Sequence, residues 1–220
     1  MTITMYKGDL PKNLDFGDSV AIDTETLGLI PERDPLCLIQ LSSGDGTAHL
    51  LQFDRSNYDA PNLKKILSDP NCEKIFHFAR FDVAVIKHYL DIDCAPIYCT
   101  KIASKLARTY TDKHGLKDIC KELLGIELSK NEQTSDWSLE ELSEEQKTYA
   151  ASDVLHLHKL KSILEDKLEK VNRKELAQDC FNFISTRAYL DLNGWSEICL
   201  LYTSDAADEG LGVDLGGRRI

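Results

Sequence analysis

Residues Val20–Leu29 read VAIDTETLGL. An apolar run opens the stretch as a buried strand would, and then delivers two carboxylates, Asp23 and Glu25, where the strand should still be covering hydrophobic surface. In a strand, residues two apart point to the same face, so these side chains stand side by side. Two like charges that close need a counter-charge.

Around this stretch lie other short β-rich runs, ITMY (3–6), SVAIDT (19–24), LCLIQL (36–41) and AHLLQF (48–53), separated by the turn signals GDLPKN, PERDP and SSGDG. They predict an antiparallel meander. A helix is expected near Asn62–Leu67, then a fifth strand in KIFHF (74–78), then a helix over about Phe81–Tyr89. The second half is helical by period: Lys101–Ala107, Leu116–Leu124, and one long amphipathic run from Ser143 to about Val171 whose opening SEEQ fits a capping box. Strands first and helices later, with one β-α-β crossing, predict an α/β domain: a mixed five-stranded sheet flanked by helices. After Trp195 the text changes character. Residues 196–220 hold four of the twelve glycines and show no sustained period, so the domain is expected over 1–195 with 196–220 a poorly ordered extension.

Composition narrows the function. A chain of 220 residues is long enough for one α/β domain with a full core. No run of about 18 apolar residues occurs, and MTITMYKGDL lacks the basic and apolar regions of a signal peptide, so a cytoplasmic location is expected. The cysteines (Cys37, Cys72, Cys94, Cys99, Cys120, Cys180 and Cys199) are odd in number and lack a C-x-x-C pair, which argues against a disulfide framework and a zinc site. Reduced, mostly buried thiols are the expectation. A formal charge of −11 disfavours nucleic-acid binding through a broad basic surface, so any polyanion contact must be local or metal-assisted.

Two further segments supply acids inside core-like sequence. In the long helical run, Tyr149 and Asp153 lie at i, i+4 and share a face. Asp82 opens a helix whose other residues are apolar. Taken singly, each has a plain structural role: Asp82 as a charge favoured by the helix dipole, Tyr149 as a packed aromatic, His77 as a hydrogen-bonder at a strand end. Together the acids read as a hard-cation site, because magnesium and manganese prefer oxygen ligands and no histidine or cysteine cluster accompanies them. His156 and His158, two apart on a helix, diverge.

VAIDTETLGL, IFHFARFDVAVI (75–86) and YAASDVLHLHKL (149–160) resemble, in order and spacing, the three motifs of the DEDDy 3'-5' exonucleases. PLCLIQLS (35–42) and the stretch from His114 to Asp153 are similar to ribonuclease D, and the likeness covers about residues 2–195. No counterpart of the helical C-terminal nucleic-acid-binding domains of long ribonuclease D proteins is expected within residues 1–220. The resemblance implies an RNase H-like fold and two divalent cations, Mg2+ or Mn2+. It makes Asp23, Glu25 and Asp153 direct ligands, with Asp82 acting mainly through water, and gives Tyr149 the role of orienting the attacking water. By the same analogy Thr26 and Leu27 meet the terminal nucleotide, Leu27 as a wedge. His77 falls inside the second motif as a substrate-side candidate, and Arg80 and Lys101 are candidate phosphate contacts. The implied activity is 3'-5' exoribonuclease action, releasing 5'-mononucleotides from single-stranded RNA ends. Its rivals are a DNA exonuclease on the same fold, separable through the 2'-hydroxyl, and a catalytically silent RNA-binding protein.

Overall fold

A computed structural model describes residues 1–129 and 135–195; the extension expected over 196–220 lies outside the described residues. The strands are β1 (Thr2–Lys7), β2 (Ser19–Thr26), β3 (Leu36–Ser42), β4 (Thr47–Gln52), β5 (Glu73–Phe76) and β6 (Ile97–Cys99). They form one mixed sheet in the order β1-β4-β3-β2-β5-β6. The expected count of five is therefore one short. Strand β6 has only three residues, too few to show alternation, and is defined by pairing parallel to β5 through Lys74–Ile97, Ile75–Tyr98 and Phe76–Cys99.

The expected meander also needs correction. Strands β2, β3 and β4 do run antiparallel in sequence order, but β1 pairs parallel with β4 at the far edge. The connection from Gly8 to Asp18 is long enough to carry the chain past two strands, and local turn chemistry cannot reveal that.

Helices α1 (Pro61–Ser68), α2 (Ala79–Leu90), α3 (Thr100–Ala107) and α4 (Leu116–Leu124) fall where period and turn signals put them. The long run divides into α5 (Glu144–Leu155) and α6 (Leu157–Lys170) at His156, a turn residue with φ −106° and ψ −7° that ends one helix and begins the next. Both halves keep an apolar face, so the break is invisible to periodicity. The capping box is present: Ser143 Oγ accepts from Gln146 N at 3.2 Å and Gln146 Oε1 accepts from Ser143 N at 2.9 Å. A last helix, α7 (Lys174–Leu192), had no counterpart in the sequence reading; it buries Ala177, Phe181, Ile184 and Ala188, packing on α2 and β6. Two of those four are alanines, and the signal is correspondingly faint.

Every residue of β3 is buried, which fits a central strand covered on both faces. Helix α5 crosses β2, β3 and β4, and α2 packs on β2, β5 and β6. These two contacts bring the second and third acidic motifs to the end of β2. The six described cysteines are free, and burial pushes the thiols of Cys94 and Cys120 up to about 12, so both stay protonated. Among the described residues, no helix is long and apolar enough to cross a membrane.

Candidate active site

Asp23 and Glu25 project from β2 just before a register irregularity between Glu25 and Thr26, where a bulge turns the strand end. Helix α5 supplies Asp153 from above. One carboxylate oxygen each of Asp23, Glu25 and Asp153 lies within 4.8 Å of the other two. Asp82, in the first turn of α2 and 3% exposed, stands outside this triplet and accepts a 2.7 Å hydrogen bond from Thr24 Oγ1. Thr24 thereby ties α2 to the strand between the two acids.

Burial and mutual repulsion dominate the electrostatics. Asp23 is raised well above the ordinary carboxylate range by burial, then by the charges of Asp82, Asp153 and Glu25. Glu25 is raised by burial and then by Asp153 and Asp82. Burial also lifts Asp82 and Asp153 to about 7, although hydrogen bonds from Thr24 and from Tyr149 pull the other way. No lysine or arginine pairs with any of the four among the described residues. Clustered oxygen donors without protein cations fit a hard divalent metal, which would supply the missing counter-charge.

Tyr149 is raised by burial and next by Asp153, Glu25 and Asp23, so its hydroxyl keeps its proton. Its ring lies 6.1 Å from that of Trp137, tilted by 36°, and its hydroxyl faces the Asp153 carboxylate. Two neighbours escaped the sequence reading. Gln40, fully buried on β3, lies opposite Asp23, with Nε2 3.5 Å from Asp23 Oδ2 and 3.5 Å from Glu25 Oε1. A glutamine inside the apolar run LCLIQL was the available signal. Trp137 is 2% exposed, and its Nε1 meets no hydrogen-bond partner among the described residues.

The acids open into a cleft of about 800 Å³. One wall carries Thr26, Leu27 and Gly28. Leu27 is 42% exposed, and Thr26 Oγ1 donates to Gly28 O. A Cβ on Gly28 would sit 2.1 Å from Asp34 Oδ2, so only glycine allows the loop to close against the Asp34 carboxylate. His77, Phe78 and Lys101 also line the cleft. His77 Nδ1 lies 2.9 Å from Thr100 Oγ1, the structural hydrogen bond expected of it, and burial followed by the Lys101 charge lowers its ring to about 3. Arg80, a candidate phosphate contact, holds Asp191 of α7 with Nε and Nη2 at 2.6 and 2.7 Å. That carboxylate comes from a helix the sequence reading did not contain.

Residues 9–169 match the family model described as 3'-5' exonuclease. The chain is 32% identical over 168 residues to a Ribonuclease D of Bartonella henselae, covering 76% of this chain and 40% of that relative, so it spans about two-fifths of the relative's length. It is 53% identical to Brucella melitensis NrnC with bound Mg2+, with a TM-score of 0.89 over 93% of this chain and 100% of that one. It is 54% identical to the same protein bound to pGG, with a TM-score of 0.90 and the same coverage.

Proposed function

This chain belongs to the 3'-5' exonuclease family, and on that premise we propose that it is a two-metal 3'-5' exoribonuclease that removes 5'-mononucleotides from single-stranded RNA ends. One observation carries the reading: carboxylate oxygens of Asp23, Glu25 and Asp153 gather within 4.8 Å of one another, beside Tyr149, in a cleft open to solvent. Asp23, Glu25 and Asp153, with Asp82 behind them, would hold the magnesium or manganese ions. Bound there, such ions neutralise the carboxylates, stabilise charge on the phosphoryl oxygens and lower the pKa of water.

The chain's own groups do the positioning. Tyr149, protonated and one turn from Asp153, orients the attacking water through its hydroxyl. The water oxygen bonds to phosphorus and gives up one proton, the bond to the preceding nucleotide's O3' breaks, and that oxygen takes up a proton, so that overall the proton passes from the water to the leaving group. Leu27 and the backbone around Thr26 seat the terminal nucleotide, with His77 lining the same cleft. The pGG bound by Brucella melitensis NrnC makes very short RNAs an apt first substrate. Free cysteines suit a reducing, cytoplasmic compartment.

The test is degradation of a 5'-labelled single-stranded RNA, its 3'-phosphorylated and hairpin-ended versions, a matched DNA, and pGG, each with magnesium, manganese or EDTA. A metal-dependent ladder shortening from the 3' end is expected, with the 3'-phosphate version at least about tenfold slower because added charge must sit beside carboxylates. Internal cuts before any ladder would point to an endonuclease. Equal or faster loss of DNA would favour the DNA reading, and no turnover with either metal a silent binding protein.

A further inference from the structure

Phe78 carries two unfavourable features at once. At φ 72° and ψ 43° it is a bulky residue in the left-handed region, which glycine, asparagine and aspartate tolerate far better. It is also 47% exposed, whereas its motif neighbours Phe76, Ala79, Val83, Ala84, Val85 and Ile86 are buried. Among the described non-glycine residues with positive φ it is the one aromatic, and it lines the cleft. Strain of this kind persists where the surroundings use it.

What touches the ring suggests the use. Lys101 Nζ lies 4.1 Å from the Phe78 ring centroid. The cleft holds abundant negative charge in Asp23, Glu25, Asp136 and Asp153, yet no ion pair among the described residues uses Lys101. The ring face attracts an ammonium without neutralising it and leaves its other side open. The bland alternative, a solvated lysine resting on a stray aromatic, would not require the aromatic to be held in an unfavourable backbone conformation.

Resting on the exoribonuclease reading, we infer that Lys101 binds a phosphate of the RNA strand in the cleft, and that Phe78 is a positioning residue holding that ammonium toward the strand. In a chain of charge −11 this provides the local cationic contact that a polyanion needs.

The experiment is fluorescence anisotropy of a 5'-fluorescein RNA hexamer across a KCl series in EDTA, where no hydrolysis occurs. Lys101→Met should weaken binding about fivefold and make the slope of log K against log salt shallower by about 0.7, one phosphate contact on a single strand. Lys101→Arg should recover the slope. Phe78→Asn should lose affinity while melting no lower than the wild type, because asparagine accepts the left-handed conformation; a ring retained merely for packing would lower the melting temperature instead. Adding Phe78→Asn to Lys101→Met should cost little more, since both act on one contact. An unchanged salt slope in Lys101→Met, or full additivity of the two variants, would overturn the inference. Failure of wild-type RNA hydrolysis with metal is a separate outcome that removes the exoribonuclease reading, and the slope still decides whether Lys101 contacts phosphate.

Discussion

Gln40 stands directly opposite Asp23 in the β2–β3 register, and its single side-chain nitrogen lies 3.5 Å from an oxygen of Asp23 and 3.5 Å from an oxygen of Glu25. One amide group thus faces two carboxylates with one N–H for each. Groups behind the ligands set their orientation, and losing one typically costs metal affinity. Gln40→Leu, close in volume, is expected to weaken Mn2+ binding by about tenfold. Gln40→Glu should weaken it differently, by bringing another like charge into a buried cluster. Manganese titration followed by electron paramagnetic resonance measures both; an unchanged affinity in Gln40→Leu would show that the amide only fills space.

The raised carboxylates make stability depend on pH and metal together. Asp82 and Asp153 titrate near 7 in the fold against about 3.9 in an unfolded chain. The native state therefore holds more protons in that interval. Their contribution to metal-free stability is complete below the unfolded value and is lost as pH rises through about 7. His77, lowered to about 3, acts oppositely below about 6.5, where the unfolded histidine takes up its proton first. Between pH 6.5 and 8 the carboxylates dominate. The metal-free protein should melt at lower temperature at pH 8 than at 6.5, and magnesium or manganese should raise the melting temperature more at pH 8. Calorimetry in EDTA and in excess metal reads this directly.

Asp23→Ala removes one member of the repelling set. Nuclease activity should fall to background, while the metal-free protein should melt at or above the wild-type temperature, because desolvation and then the neighbouring carboxylates disfavour the ionised Asp23. Substantial turnover by the purified variant would remove Asp23 from the metal site.

Tyr149→Phe keeps the ring tilted against Trp137 and loses only the hydroxyl. The single-turnover rate should drop by more than about tenfold with little change in RNA affinity, since the hydroxyl orients water and not the strand. Its absence also removes a hydrogen bond from Asp153. A loss confined to affinity would reassign Tyr149 to substrate binding.

Gly28→Ala tests the cleft wall. The added methyl would meet the Asp34 carboxylate, which is held by Ile30 N at 2.9 Å and by Arg33 Nε at 2.7 Å and cannot swing away freely. Displacing it should open the loop after Leu27, raising KM severalfold while metal binding at the acids stays intact. A KM equal to wild type would mean that the wall does not contact substrate.

The candidate site residues were legible in the sequence because each depends on local order. Two acids separated by one residue share a face of any strand, and Tyr149 and Asp153 share a face of any helix. The boundaries of Leu116–Leu124 and the capping box at Ser143 are likewise local facts, matched by the structure. Hydrophobic period also predicted a mixed sheet flanked by helices.

Tertiary structure decided what depends on partners distant in the chain. Strand β6 exists because β5 offers it hydrogen bonds, and β1 is parallel because it reaches β4 across the sheet. Arg80 gained an ion-pair partner in Asp191 only because α7 packs against α2. Gln40 became a neighbour of the acids through cross-strand register, and Phe78 a cleft residue through its own left-handed backbone. Local spacing determines which groups a segment can present. Only long-range pairing and packing, which bring together residues such as Asp23 and Asp153, set the distances at which buried charges repel and bind a metal.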